Sequence, residues 1–132
     1  MEYFDCPTLR QLLDDAPVNF DDRVFIKYLR GEEIIEKRFS KVRSDALAFC
    51  RFLRDKCPEN AHIAIISKSS YEYIISLTGI IISGNVAVPM APETDAQNVS
   101  ELCKVADISV TKTSSRTGSE RFWTPAIRKF RR

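Results

Sequence analysis

Gly79-Ile80-Ile81-Ile82-Ser83-Gly84-Asn85-Val86-Ala87-Val88-Pro89 is the stretch whose reading decides the fold. Its first half continues an apolar helical pattern that starts near Ser70, and the Gly84-Asn85 pair suits the left-handed turn that ends a helix. Three small apolar residues then form a short buried strand, Val86 to Val88. Pro89 ends it where no ladder donor is needed. Gly79 stands mid-helix, where glycine costs about 1 kcal/mol against alanine unless something packs closely on it. The apolar run from Ile74 to Met90 is interrupted by Gly79, Ser83, Gly84, Asn85 and Pro89. It is therefore a buried helix and a buried strand, not the unbroken span of about 20 apolar residues that crosses a membrane.

Reading upstream, Ser67-Lys68-Ser69-Ser70 turns the chain into that helix. His62 to Ile66 is an apolar run without alternation, as in a strand covered on both faces. Before it, Val42, Ala46, Phe49, Cys50, Leu53 and Cys57 recur at helical spacing, with Arg43, Arg51, Arg54 and Asp55 opposite. That is an amphipathic helix, with Ser40 as its expected N-cap and Pro58 and Asn60 as its stop. Val24 to Leu29 and Ile34 to Phe39 flank Gly31 and read as a β-hairpin. A first helix, capped by Thr8, runs through Leu9, Leu12 and Leu13 and is expected to end at Asp14, Asp15 and Pro17. Downstream, a helix over Asn98–Ala106 and a strand over Ile108–Val110 complete a β-α-β-α-β order. Right-handed crossovers then make the strands parallel. The fold class is α/β: an N-terminal helix and β-hairpin followed by a β-α-β-α-β parallel-sheet unit, a partial domain.

The bulk composition is that of a globular protein: 132 residues, 44% hydrophobic and 29% charged. Of the net charge of +2, the six cations and one anion from Thr113 to Arg132 supply +5, which leaves the body at −3. The four cysteines, Cys6, Cys50, Cys57 and Cys103, form no C-x-x-C pair and have no histidine cluster beside them. A zinc site is not indicated. Cys50 and Cys57 share a helix face and read as packed thiols. The opening Met1-Glu2-Tyr3-Phe4-Asp5 lacks the basic and apolar regions of a secretory signal, so the expected location is the reducing cytoplasm.

Candidate sites are few. His62, the single histidine, begins a strand and has no nucleophile partner with a local signature. Ser67-Lys68-Ser69-Ser70 precedes a helix and could meet an anion, but with no glycine and no partner motif simple capping is the favoured reading. Tyr71, Glu72 and Tyr73 open the helix: Glu72 suits the helix dipole and the tyrosines pack beside the sheet. No residue is assigned a catalytic, cofactor-binding or metal role.

Ile63-Ala64-Ile65-Ile66, Ser70-Tyr71-Glu72-Tyr73-Ile74 and the Gly79–Pro89 stretch together resemble the early part of the adenylate-forming (AMP-binding) superfamily, above all long-chain acyl-CoA synthetases. Thr8-Leu9-Arg10, Asp22-Arg23-Val24-Phe25-Ile26-Lys27-Tyr28 and the helix after Ser40 fit the same pattern. The resemblance covers about residues 8 to 110. It implies an enzyme that activates a carboxylic acid with ATP and magnesium through an acyl-adenylate, then passes the acyl group to coenzyme A. It also implies that the phosphate loop, the acidic residues for magnesium and ribose, and the catalytic lysine all lie downstream of the matched region. Thr113-Ser114-Ser115-Arg116-Thr117-Gly118 imitates that phosphate loop only in composition: Ser115 and Arg116 stand where glycine and a small hydroxyl residue are needed, and no Pro-Lys follows.

The expected organisation is therefore residues 1–110 as part of an N-terminal domain and 111–132 as a basic, divergent or disordered tail. The expected function is that of an N-terminal fragment, inactive alone and aggregation-prone in isolation. One alternative is an interaction module that complements a separately encoded remainder of the enzyme. Another is a tail-driven nucleic-acid binder, which the absence of a recognised motif disfavours.

Overall fold

The computed structural model describes residues 8–113. Nine elements follow one another: α1 (Leu9–Asn19), β1 (Val24–Arg30), β2 (Glu33–Arg38), α2 (Phe39–Lys56), β3 (His62–Ile66), α3 (Tyr71–Ile82), β4 (Val86–Met90), α4 (Ala96–Val105) and β5 (Ile108–Thr113). The fold is α/β, as the pattern of residues dictates. Strands β1 and β2 form an antiparallel hairpin, and β3, β4 and β5 form a separate parallel sheet in the order β4-β3-β5.

Strand β3 is central because it is apolar at every position that meets a covering layer. On one face Ile63 and Ile65 pack with Leu53 and Ile80, under α2 and α3. On the other Ala64 packs with Met90, Cys103 and Ile108, under α4. Full burial of an isoleucine contributes about 1.5–3 kcal/mol, and Ile63, Ile65 and Ile80 are each 1% exposed or less. A further cluster joins the hairpin to the helices: Leu13, Val42, Ala46, Tyr71 and Ile75, with Ile26 and Tyr28 against them.

Gly79 is where α3 touches α2. A Cβ on it would lie 2.6 Å from Phe49 Cδ1 and 3.3 Å from the carbonyl oxygen of Ala46. The close packing that makes a mid-helix glycine tolerable is present. Helix α3 then ends as expected. Gly84 has φ +82°, its N–H reaches the Ile81 carbonyl, and the Asn85 N–H reaches that of Ile80. This is the paired hydrogen-bond closure of a left-handed helix stop.

Three local expectations are corrected. Pro17 does not end α1: the helix continues to Asn19 with Pro17 inside it. The missing N–H falls in the last turn, where it forfeits one hydrogen bond, and the chain is held there by Phe20 N–H to Ala16 O and Asp22 N–H to Pro17 O. Ser40 is not the N-cap of α2: the helix begins at Phe39 after an Arg38 cap whose side chain makes no capping bond. Asp22 caps it from a distance instead, accepting from Ser40 N–H and from Ser40 Oγ–H, both at 2.8 Å. Pro89 does not end β4, which runs on to Met90. Val86 N–H donates to Ala61 O across the β3 side, so the period of two turns Ala87 and Pro89 toward the free edge, where proline removes no ladder bond. Two boundaries also move. Helix α4 starts at Ala96, with Asp95 accepting from Asn98 N–H, and β5 continues three residues past Val110.

Left-handed backbone marks each of the four helix-to-strand connections. Asp21 (φ +52°) and Asp22 (+49°) precede β1, Asn60 (+55°) precedes β3, Gly84 (+82°) precedes β4, and Asp107 (+50°) precedes β5. All are Asp, Asn or Gly, the residues that visit this region at least cost.

Candidate functional site

Of the polar groups singled out in the sequence, His62, Ser70 and Tyr71 are occupied in holding the scaffold together. Ser70 caps α3, its hydroxyl accepting from Tyr73 N–H at 3.1 Å, while Ser67 Oγ donates to the Lys68 carbonyl. The capping account therefore holds for Ser70. His62 Nδ1 donates to the Ala106 carbonyl at 2.7 Å, tying the start of β3 to the end of α4. Its role is a fastening between strand and helix.

Tyr71 is the best-connected polar residue near the sheet. It is 8% exposed, and its hydroxyl donates to Asp45 Oδ2 at 2.7 Å. Asp45 in turn pairs with Lys41 at 2.6 Å. The Tyr71 ring stacks on Tyr28 with centroids 5.7 Å apart, and Lys37 Nζ lies 5.2 Å from its centroid. Burial, and then the neighbouring Asp45 carboxylate, push the phenol well above its ordinary value. A phenol held neutral in this way donates a fixed hydrogen bond and is a poor base. It joins the hairpin, α2 and α3.

Asp22 is the mirror case. Its carboxyl is held below the usual carboxylate value by the Ser40 N–H and then the Ser40 hydroxyl. Arg38 Nη1 also donates to its backbone carbonyl at 2.9 Å. Asp14 is likewise held low, first by Arg10, with Arg43 also donating to it. Asn85 completes the set: its Oδ1 accepts from Ala61 N–H and its Nδ2 donates to Ser83 Oγ. Asp22, Asp45 and Asn85 are fastening points that the sequence did not single out. The bonds of the first two to Ser40 and Tyr71 span 18 and 26 residues, and the one local signal is the Lys41–Asp45 spacing of four.

An open cleft of about 440 Å³ lies between the end of α2 and the α3–β4 turn, lined by Arg54, Cys57, Glu59, Ser83 and Asn85 among others. It sits at the amino ends of β3 and β4, whereas open α/β sheets bind ligands beyond the carboxyl ends. Burial raises the Cys57 thiol, which keeps it protonated and weakly nucleophilic. Cys50 and Cys103 are buried free thiols and Cys57 is half-buried, which matches the packing role read from the α2 face; Cys6 lies outside the described residues.

Among the described residues, no group of three or more His, Cys, Asp or Glu could hold a metal ion. None of the described helices is long and apolar enough to cross a membrane. Of the expected tail, Thr111 to Thr113 belong to β5 and pair with β3, and residues 114–132, with most of the Thr113–Gly118 segment, lie outside the described residues.

No family model matches the chain, and no curated relative matches it. Solved structures do. The chain superposes on the fatty acid AMP ligase of Legionella pneumophila with a TM-score of 0.72 at 12% identity, covering 83% of this chain and 20% of that one. On the N-terminal subdomain of Klebsiella oxytoca NpsA the TM-score is 0.72 at 18% identity, covering 83% and 28%. On the artificially fused adenylation–PCP di-domain NpsA-ThdA of the same organism it is 0.73 at 17% identity, covering 90% and 22%.

The fold is thus one shared with part of a fatty acid AMP ligase and with the N-terminal subdomain of NpsA. The chain spans between a fifth and under a third of the length of these three structures, at 20%, 22% and 28%.

Proposed function

We propose that this chain is an N-terminal segment of an adenylate-forming enzyme of the acyl-CoA synthetase type, and that it supplies scaffold rather than chemistry. The observation that carries the reading is the match of the described architecture to a fifth of a fatty acid AMP ligase, combined with polar groups that are consumed in caps and inter-element bonds. In the intact enzyme, ATP and magnesium would activate a fatty or other carboxylic acid as an adenylate, and coenzyme A would then take the acyl group. The groups that stabilise charge on phosphorus dominate such a transfer, and in this reading they belong to the remainder of the enzyme. The test is ATP–pyrophosphate exchange by the chain alone with fatty acids and other carboxylic acids. Exchange at background level is expected. Acid-dependent exchange well above background would sink the assignment of scaffold without chemistry.

One observation favours a second reading, in which the chain pairs with a separately supplied remainder. Ile74 (36% exposed) and Ile81 (43%) lie two turns apart on α3, and Val86 (46%) opens β4, an edge strand among the described residues. An apolar stripe next to an open sheet edge is a surface that binds partners or aggregates. Sedimentation and urea unfolding of the isolated chain discriminate. Self-association or low cooperativity supports the second reading, and a monodisperse, cooperatively unfolding monomer removes it.

A further inference from the structure

We draw no further inference here: the strongest candidate outside the surfaces already described, the Ser67–Ser70 loop at the N-terminus of α3 beyond the carboxyl end of β3, carries none, because its one capping hydroxyl is already bonded to Tyr73 N–H and no bound ion or buried unpartnered group beside it points to a ligand.

Discussion

Replacing Gly79 by alanine pits two effects of known sign against each other. In an exposed helix the change would stabilise by about 1 kcal/mol. Here the new Cβ would stand 2.6 Å from Phe49 Cδ1, 3.2 Å from Phe49 Cβ and 3.3 Å from the Ala46 carbonyl oxygen. Relief by moving the Phe49 ring is limited, because that ring stacks on Phe52 with centroids 6.0 Å apart. The backbone oxygen of α2 cannot move without separating the two helices. Overpacking of this kind costs about 1–3 kcal/mol, so, less the helix gain of about 1 kcal/mol, the expected net effect of Gly79→Ala is a loss of up to about 2 kcal/mol. Urea unfolding followed by circular dichroism would read this as a lower midpoint at unchanged slope. In a Phe49→Ala background the nearest clash is gone, and the same substitution should then cost close to nothing or turn stabilising. That is a coupling of about 1 kcal/mol or more. A higher midpoint for Gly79→Ala in the wild-type background, or the same effect in both backgrounds, would refute the close approach of α2 and α3.

Further outcomes follow from the fastening residues. Asp22→Ala should lower the urea midpoint at neutral pH, with Asp22→Asn retaining most of it, because a side-chain oxygen remains to accept from Ser40 N–H. Asp22 has a depressed folded value, so its contribution is present above its ordinary value of 3.8 and is lost as pH falls through the folded value. The gap between wild type and Asp22→Ala should therefore close on acidification below about pH 4, and a gap that persists undiminished there would contradict the capping role. Tyr71→Phe should cost about 1–2 kcal/mol by removing the bond to Asp45. The folded value of Tyr71 is raised above 10.0, so its contribution is complete below pH 10 and declines as pH rises from there toward the folded value. Wild type should lose more stability than Tyr71→Phe between pH 9 and pH 11, and equal losses would count against the buried phenol. Pro89→Val should leave the circular dichroism spectrum unchanged while adding a donor to the free edge of β4, and light scattering should show more self-association. No change in scattering would mean that Pro89 does not guard that edge.

Much of the scaffold was legible because its signals are local. The helix stop at Gly84-Asn85, the doubly covered β3 run and the amphipathic face of α2 each lie within one element, and each appears where the residues place it. The need for a close neighbour at Gly79 was also legible, though not the neighbour, since Phe49 lies on another helix. What escaped was non-local. Ser40 has the chemistry of a cap, and nothing within its own turn reveals that Asp22 arrives from 18 residues upstream to do the capping. Pro17 and Pro89 were read by their general cost, but that cost depends on where the missing N–H points: into a final turn in one case and toward an open edge in the other. Which strand is central is fixed only by packing, as α3 and α4 cover opposite faces of β3. The candidate site was legible mainly as unremarkable. His62 and Ser70 carried no partner signature in the sequence, and they bond to backbone in the structure.

The left-handed residues at the four helix-to-strand connections bear on how the chain reaches this arrangement. Parallel strands cannot be joined by a tight hairpin, so each pairing of β3 with β4 or β5 must wait for a helix to form and the chain to double back. Closing that excursion is the entropic part of the barrier. A connection already bent at Gly84 directs β4 toward β3 as soon as α3 has formed, and Asp107 does the same for β5 after α4. The reversal is then set by one residue's backbone rather than searched for by a long loop. These reversals are made by a few short polar residues and one glycine that lie outside the buried core.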